Sequence, residues 1–445
     1  MRSRWVVLVT LLVALIAGAG GIRPTRAAPV APVPPVPGAC VEGALSSGAQ
    51  SRICVPTSGW NGDLVLWAHG YVLRGDPLTF QDELPGDPPI ALPELVQRLG
   101  YAFAATTYAE NGLVVPQAQQ DLLALLAVFK DGYQASTGQP YRGRVYITGA
   151  SMGGLIATLL AERHPDTFAG ALAACGIVGD FRRHVNYWGD FRVVFDYFFP
   201  GTLAPAQELT PTSDAWNTSY GPAVARAVLA NPSAARQLIS VTRAPLDLQA
   251  ANPPLTTIQS VMRYSALSAA DAEQRLGGNP FDNMTRWYWG SSNDLRLNLG
   301  VARFRASPAA LSVIRANYET SGRARIPIVM PHTTQDEVVL FEQSLRYWLK
   351  ARPEGAGRVT VVPIPRFGHC NFTASEIVLS FALLVAQATG TLPAGLAAEV
   401  DDLAAAPLDT DLTPYLEALR AAEAEDAAQQ AQASWNRVYL PVIIR

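Results

Sequence analysis

The chain is expected to be an α/β protein, a mostly parallel, twisted sheet flanked by helices and broken by a large cap insertion. Three observations predict this. Strand-like apolar runs alternate with segments of helical spacing as far as Cys175, the rhythm of a parallel sheet covered on both faces. From about Asp180 to about Arg323 the rhythm breaks into irregular, aromatic, proline-interrupted sequence. It resumes at Ala324-Arg325-Ile326-Pro327-Ile328-Val329-Met330.

The elements follow in order. Arg52-Ile53-Cys54-Val55 and Leu64 to Ala68 are apolar runs separated by a turn signal at Trp60-Asn61-Gly62, which predicts a hairpin entering the sheet. Leu92 to Leu99 is amphipathic at helical spacing, and Gly100 to Thr106 reads as the next strand. Val115 to Phe129 carries apolar residues at helical spacing. Val145 to Thr148 is a strand, Gly154 to Arg163 a helix, and Thr167 to Cys175 another strand. After the break, Val338 to Leu349 is predicted helical and Arg358 to Val362 a strand. The last core helix opens at Thr373, where Thr373 and Glu376 have capping-box spacing. The resulting divisions are a signal peptide (1–27), a Pro-rich linker (28–38), a first part of the sheet core (39–180), a cap or lid (181–323), a second part of the core (324–392) and a helical tail ending in a β-like segment (393–445). The cap aromatics are expected to form a small core of their own, the wall of an apolar pocket, or both. The tip, Trp435 to Arg445, reads as an edge strand or an attachment tail.

The N-terminus has the pattern of an export signal. Arg2 and Arg4 precede an apolar run from Trp5 to Ala17, and small residues with A-x-A character follow. The alternative is a retained anchor extended through Gly18 to Ile22. Export places the chain outside the cell, on its surface or in the periplasm. There the four cysteines would pair as two disulfides, and Cys40–Cys54 with Cys175–Cys370 is the favoured connectivity of the three possible. The first would pin the N-terminal segment and the second would tie two loops on the active-site side of the sheet. The net charge of -3 and the absence of any Lys/Arg-rich run exclude a phosphate-tracking surface, so no nucleic-acid partner is expected. Lys130 and Lys350 are the only lysines, which leaves few candidates for Schiff-base chemistry.

Gly149-Ala150-Ser151-Met152-Gly153 lies between the strand at Val145 and the helix at Gly154. Strand, G-x-S-x-G and helix make the context of a nucleophile elbow, in which small residues allow a sharp turn and expose the serine hydroxyl. A serine hydroxyl needs a base in hydrogen-bond reach and a third group to orient that base. Five histidines restrict the choice. His369 follows the last predicted strand, so it is the expected base. Asp336, after the strand ending at Met330, is the expected orienting acid, with Glu337 as its competitor. His69-Gly70-Tyr71 follows the strand Leu64 to Ala68, and the amides of Tyr71 and Met152 are the expected oxyanion donors. His69 is expected beneath the site, and His164 at the end of the elbow helix. His184 and His332 are isolated candidates for metal ligation, but no two histidines have ligand spacing and no C-x-x-C occurs, so neither a metal nor a cofactor is expected.

With His69-Gly70, the Ser151 elbow, Asp336 and His369 in this order, the chain resembles an α/β-hydrolase from roughly Cys40 to Gln387. The resemblance implies Ser151 as nucleophile, His369 as general base and acid, and Asp336 as its partner. Ser-Met-Gly-Gly resembles the elbow of many secreted esterases and lipases. His369-Cys370 is similar to the histidine-cysteine pair of the tannase and feruloyl esterase group. That group also has a cysteine directly before its serine; Ala150 stands there in this chain, and Cys175 is available to tether the histidine loop differently. The expected substrate is a small-molecule or polymeric ester with a bulky or apolar group, with no obligate protein partner. Alternatives are a peptidase of the prolyl-oligopeptidase or tripeptidyl type, an acyltransferase using the same residues, and a catalytically silent surface-binding module.

Overall fold

Continuous apolar runs set the centre of the sheet. Strands β3 (Leu64–Ala68), β6 (Ala102–Thr106), β7 (Val145–Ala150) and β8 (Gly170–Ala174) are buried at every position, as strands with helices on both faces must be. The remaining strands are β1 (Cys40–Ala44), β2 (Gln50–Cys54), β4 (Glu83–Leu84), β5 (Ile90–Ala91), β9 (Ile328–Gln335) and β10 (Val359–Phe367). The computed structural model describes residues 36–84, 89–355 and 357–405. The predicted signal peptide, most of the predicted linker and the tail beyond residue 405 lie outside the described residues. Among the described residues the main sheet runs β1-β2-β6-β3-β7-β8-β9-β10. From β6 to β10 all pairings are parallel, while β1 and β2 join antiparallel at one edge.

Side chains alternate across the sheet and feed two cores. Leu64, Leu66 and Ile147 pack with Leu122, Leu155 and Leu159 on the face of α2 (Val115–Thr137) and α3 (Met152–Arg163). Val65, Trp67 and Tyr146 pack with Leu95 and Phe381 on the face of α1 (Leu92–Arg98) and α13 (Ala374–Thr389). Between β8 and β9 the inserted segment contributes α4 (Phe181–Phe198), the short α5 (Ser213–Ala215), α6 (Gly221–Ala230), α7 (Pro232–Thr242), α8 (Pro253–Leu267), α9 (Ala269–Leu276), α10 (Asp294–Gly300) and α11 (Pro308–Asn317). Phe191, Phe195, Val224, Leu238, Ile258 and Val261 form its own core. The chain continues through α12 (Glu342–Gly355) to α13 and α14 (Ala394–Ala405). Among the described residues no helix is long and apolar enough to cross a membrane.

Three expectations change. The predicted hairpin between β2 and β3 does not form, because β6 lies between them. Strand β3 is buried on both faces and takes β6 and β7 as parallel neighbours, so the true hairpin is β1–β2, paired from Cys40↔Cys54 to Ala44↔Gln50. Strands β9 and β10 each run several residues further than predicted, to Gln335 and Phe367. The helix predicted from Val338 begins at Glu342, because the Val338 and Val339 amides are turned toward the Asp336 carboxylate. Cys40 is joined to Cys54, and Cys175 to Cys370.

Candidate active site

The carboxyl ends of β7, β9 and β10 open on one rim of the sheet, where open α/β sheets hold their ligands. Ser151 follows β7 directly, Asp336 follows β9 directly, and His369 stands two residues past β10. The turn at Ser151 is tight. Its φ of 58° lies in the left-handed region, uncommon for a residue with a side chain and typical of strained functional positions. Glycines make the turn possible. A Cβ on Gly153 would collide with the Ala68 carbonyl oxygen, and one on Gly149 with the Gly153 carbonyl. Cys175 and Cys370, joined beside this turn, also have positive φ, at 43° and 52°.

The three distant side chains meet here. Nε2 of His369 is 2.8 Å from Oγ of Ser151, and Nδ1 of His369 is 2.8 Å from Oδ2 of Asp336. An ionised carboxylate only accepts, so the proton sits on Nδ1 and the Nε2 lone pair faces the serine hydroxyl. Asp336 is fully buried but well partnered. Its Oδ1 accepts the amides of Val338 at 3.0 Å and Val339 at 2.8 Å. Its Oδ2 also lies 3.4 Å from Nε2 of His332. Burial alone would raise this carboxyl, but the charge of His369 and hydrogen bonds from His332 and His369 outweigh it and hold Asp336 well below the usual carboxylate range. Burial likewise pushes His369 down, and the Asp336 charge and hydrogen bond overcome it, so His369 rises above its ordinary 6.5. The histidine loop is anchored to β9, where the Thr333 hydroxyl donates to the Gly368 carbonyl at 2.7 Å. It is anchored to α13 by the Arg366–Glu376 ion pair and the capping box of Thr373 with Glu376.

The loop after β3 lies against the serine, since a Cβ on Gly70 would stand 3.2 Å from Ser151 Cβ. The first bonds of α3 come from Gly154 and Leu155 to the Ser151 carbonyl, so the Met152 amide is one of the helix's N-terminal donors and has no backbone partner among the described residues. His69 is buried beneath this loop and stacked on Tyr108 at 3.8 Å. Its Nδ1 faces the Gly70 carbonyl at 2.8 Å, and burial lowers it to about 4, which keeps the ring neutral. His164 caps the end of α3, as expected. His332 uses both ring nitrogens, toward Ser344 Oγ and the Val339 carbonyl at 2.8 Å each. His184 is buried against Trp188 and lowered to about 3 by burial first and the charge of His369 second. The sulfurs of Cys175 and Cys370 near His369 are bonded to each other, so they offer no thiolate to a metal.

Glu337 is not the acid that meets His369. Its backbone carbonyl accepts from the Tyr187 hydroxyl at 2.7 Å, and its Oε1 accepts from the Ser260 hydroxyl at 2.6 Å. Burial first and the Asp336 charge second push its carboxyl up. Trp188 Nε1 donates to the Val338 carbonyl at 3.0 Å, so α4 holds the acid loop from above. Sequence reasoning missed His332 as a neighbour of Asp336. An imidazole four residues before the acid was a visible signal, but its orientation was not.

A cavity of about 580 Å³ opens beside Ser151 and is walled largely by apolar side chains of the inserted segment, among them Phe181, Trp188, Phe281 and Phe304. The cap aromatics thus border the cavity as well as the segment's core. Residues 142–373 match the model of a family described as alpha/beta hydrolase fold. No curated protein matches the chain. Among solved structures it is similar to feruloyl esterase B from Aspergillus oryzae, at 15% identity over 80% of this chain and 81% of that one, with a TM-score of 0.46. It is also similar to an esterase from Aspergillus oryzae, at 14% identity over 75% and 72%, with a TM-score of 0.40. A third is the Pyrococcus horikoshii acylaminoacyl peptidase, at 11% identity over 76% of this chain and 38% of that one, with a TM-score of 0.36.

Proposed function

The chain belongs to the alpha/beta hydrolase fold family, and from that premise we propose that it is an exported serine hydrolase that cleaves carboxylic esters through an acyl-enzyme intermediate. The observation that carries this reading is the unbroken chain of 2.8 Å contacts from Ser151 Oγ through His369 to Asp336. In the first step Nε2 of His369 takes the serine proton as Oγ bonds to the ester carbonyl carbon. Negative charge moves to the carbonyl oxygen, where the amides of Tyr71 and Met152 receive it. The carbon–alkoxy bond then breaks, and His369 returns its proton to the departing alcohol. Water enters, gives a proton to His369 and bonds to the acyl carbon. The serine leaves with that proton, which frees the acid.

Asp336 orients His369 and balances the imidazolium formed at each step, a role its depressed carboxyl suits at neutral pH. The apolar walls of the cavity beside Ser151 support a bulky or apolar substrate group. Export is supported by the two disulfides, which persist in oxidising compartments. The test is hydrolysis of p-nitrophenyl esters of graded chain length, with aminoacyl amides beside them, by the native chain and by Ser151→Ala. Ester turnover that Ser151→Ala reduces to background is expected. Turnover of amides in preference to esters, or ester turnover retained by Ser151→Ala, contradicts the reading.

A further inference from the structure

We propose that Ser151 stands between an apolar chamber for the acyl group and a polar chamber for the leaving alcohol, and that Glu337 and Arg263 in the polar chamber select neutral alcohols carrying additional hydroxyl groups. This rests on the ester-hydrolase reading above and specifies its substrate class. Besides the apolar cavity of about 580 Å³, a second cavity of about 490 Å³ reaches the same serine. Ser151, Tyr71, Tyr264 and Val338 border both. Met152 borders only the first, and His369 only the second.

That division assigns the chambers. The alcohol oxygen must leave within reach of the imidazole that protonates it, so the alcohol occupies the side that His369 borders. The acyl group then extends into the other chamber, past Met152 and toward Phe181 and Trp188.

The polar chamber carries groups that the first step does not use. Glu337 is 3% exposed, and its Oε2 has no hydrogen-bond partner among the described residues. Arg263 borders the same chamber. One of its terminal nitrogens donates to Ser213 Oγ at 2.8 Å, while its buried Nε likewise has no partner among the described residues. Glu337, Arg263, Gln259 and Ser260 border the chamber together, so its polar wall offers both acceptors and donors. A carboxyl that accepts and a guanidinium that donates suit hydroxyl groups, which do both. A cationic alcohol would meet the charge of Arg263, and an anionic one the carboxyl of Glu337. A neutral polyol meets neither penalty.

The experiment compares kcat/KM for the methyl, monoglyceryl and choline esters of one fatty acid, for the native chain, Glu337→Gln and Arg263→Met. The native chain is expected to favour the glyceryl ester over the other two. Each variant is expected to lower the glyceryl-to-methyl ratio by about tenfold, the effect of losing one hydrogen bond to a charged group. Native preference for the methyl or choline ester overturns the proposal even if a variant fails to fold, and so does a ratio unmoved in both folded variants. These failures differ from failure of the underlying reading, in which none of the three esters is hydrolysed or Ser151→Ala hydrolyses them as well as the native chain.

Discussion

The hydroxyl of Tyr71 donates to Oδ2 of Asp271 across 3.3 Å, so a buried acid from the inserted segment steadies the loop that lies against Ser151. The same carboxylate accepts the Leu113 amide at 2.7 Å and pairs with Arg275 at 2.8 Å. Asp271 is 1% exposed on its side chain, so these bonds form away from competing water. The insertion and the sheet rim are therefore coupled at Tyr71, the residue whose amide is proposed as an oxyanion donor.

Tyr71→Phe removes that hydroxyl and little else. Bonds to charged groups contribute about 1.5–3 kcal/mol, so kcat is expected to fall by roughly tenfold or more as the amide loses its placement. KM should change little, because ground-state binding does not use the amide fully. Steady-state kinetics beside thermal melting check this. A lower melting temperature with kcat unchanged would leave the bond purely structural.

The pH dependence follows from the state of His369. The base works only when neutral, and Asp336 raises it above its ordinary 6.5. Activity is therefore absent at low pH and grows as pH rises through a midpoint above 6.5. Asp336→Asn removes the charge that raises it, so the midpoint should move to lower pH. The same change in a related triad costs about 10⁴ in kcat, and a loss of that order is expected here. Profiles of kcat/KM against pH for both proteins measure this; a native midpoint at or below 6.5 contradicts it.

The Cys175–Cys370 link spans 195 residues and joins the end of β8 to the histidine loop. In the chain-entropy picture a loop of this length contributes roughly 5 kcal/mol by constraining the unfolded chain. Cys175→Ala with Cys370→Ala is expected to lower both the melting temperature and kcat, since the neighbour of His369 loses its tether. Mass spectrometry of the native protein should find neither thiol free. Free thiols at both positions, or a double variant with full kcat, would remove the link from the account.

Gly153→Ala is expected to be worse than a helix position would suggest. Alanine normally favours helices over glycine by about 1 kcal/mol. Here its Cβ meets the Ala68 carbonyl, part of the backbone of β3, which has no flexible end to move aside. The variant should lose several kcal/mol of stability in denaturant unfolding, or fold with the elbow displaced and kcat collapsed. A more stable, fully active variant would show that the turn has room.

Ser151, His369 and Asp336 were legible because each carries a local signature. The serine has small flanking residues between a strand and a helix, and the histidine and aspartate follow apolar strand runs. The close approach of the loop after β3 was legible from Gly70, and that loop does lie against Ser151. Pairing between strands was not, because β3 finds β6 across an intervening helix and not its neighbour β2. Val338 and Val339 look like the start of a helix, but their amides serve a carboxylate that the sequence does not orient. Most of the inserted helices escaped notice because Phe191, Phe195 and the other aromatics face a private core, which blurs a single apolar stripe. Asp271, Arg263 and Glu337 gain their meaning from residues tens to hundreds of positions away, and no local pattern announces that.

The most direct test of the central claim is labelling with a fluorophosphonate, which reacts only with a serine whose hydroxyl is activated as a nucleophile. The adduct, located by peptide mass spectrometry, should sit on Ser151 at one equivalent per chain. It should vanish in His369→Ala, whose folding is checked by circular dichroism. A native protein that takes no label, or takes it at another serine while Ser151 stays free, would contradict the account.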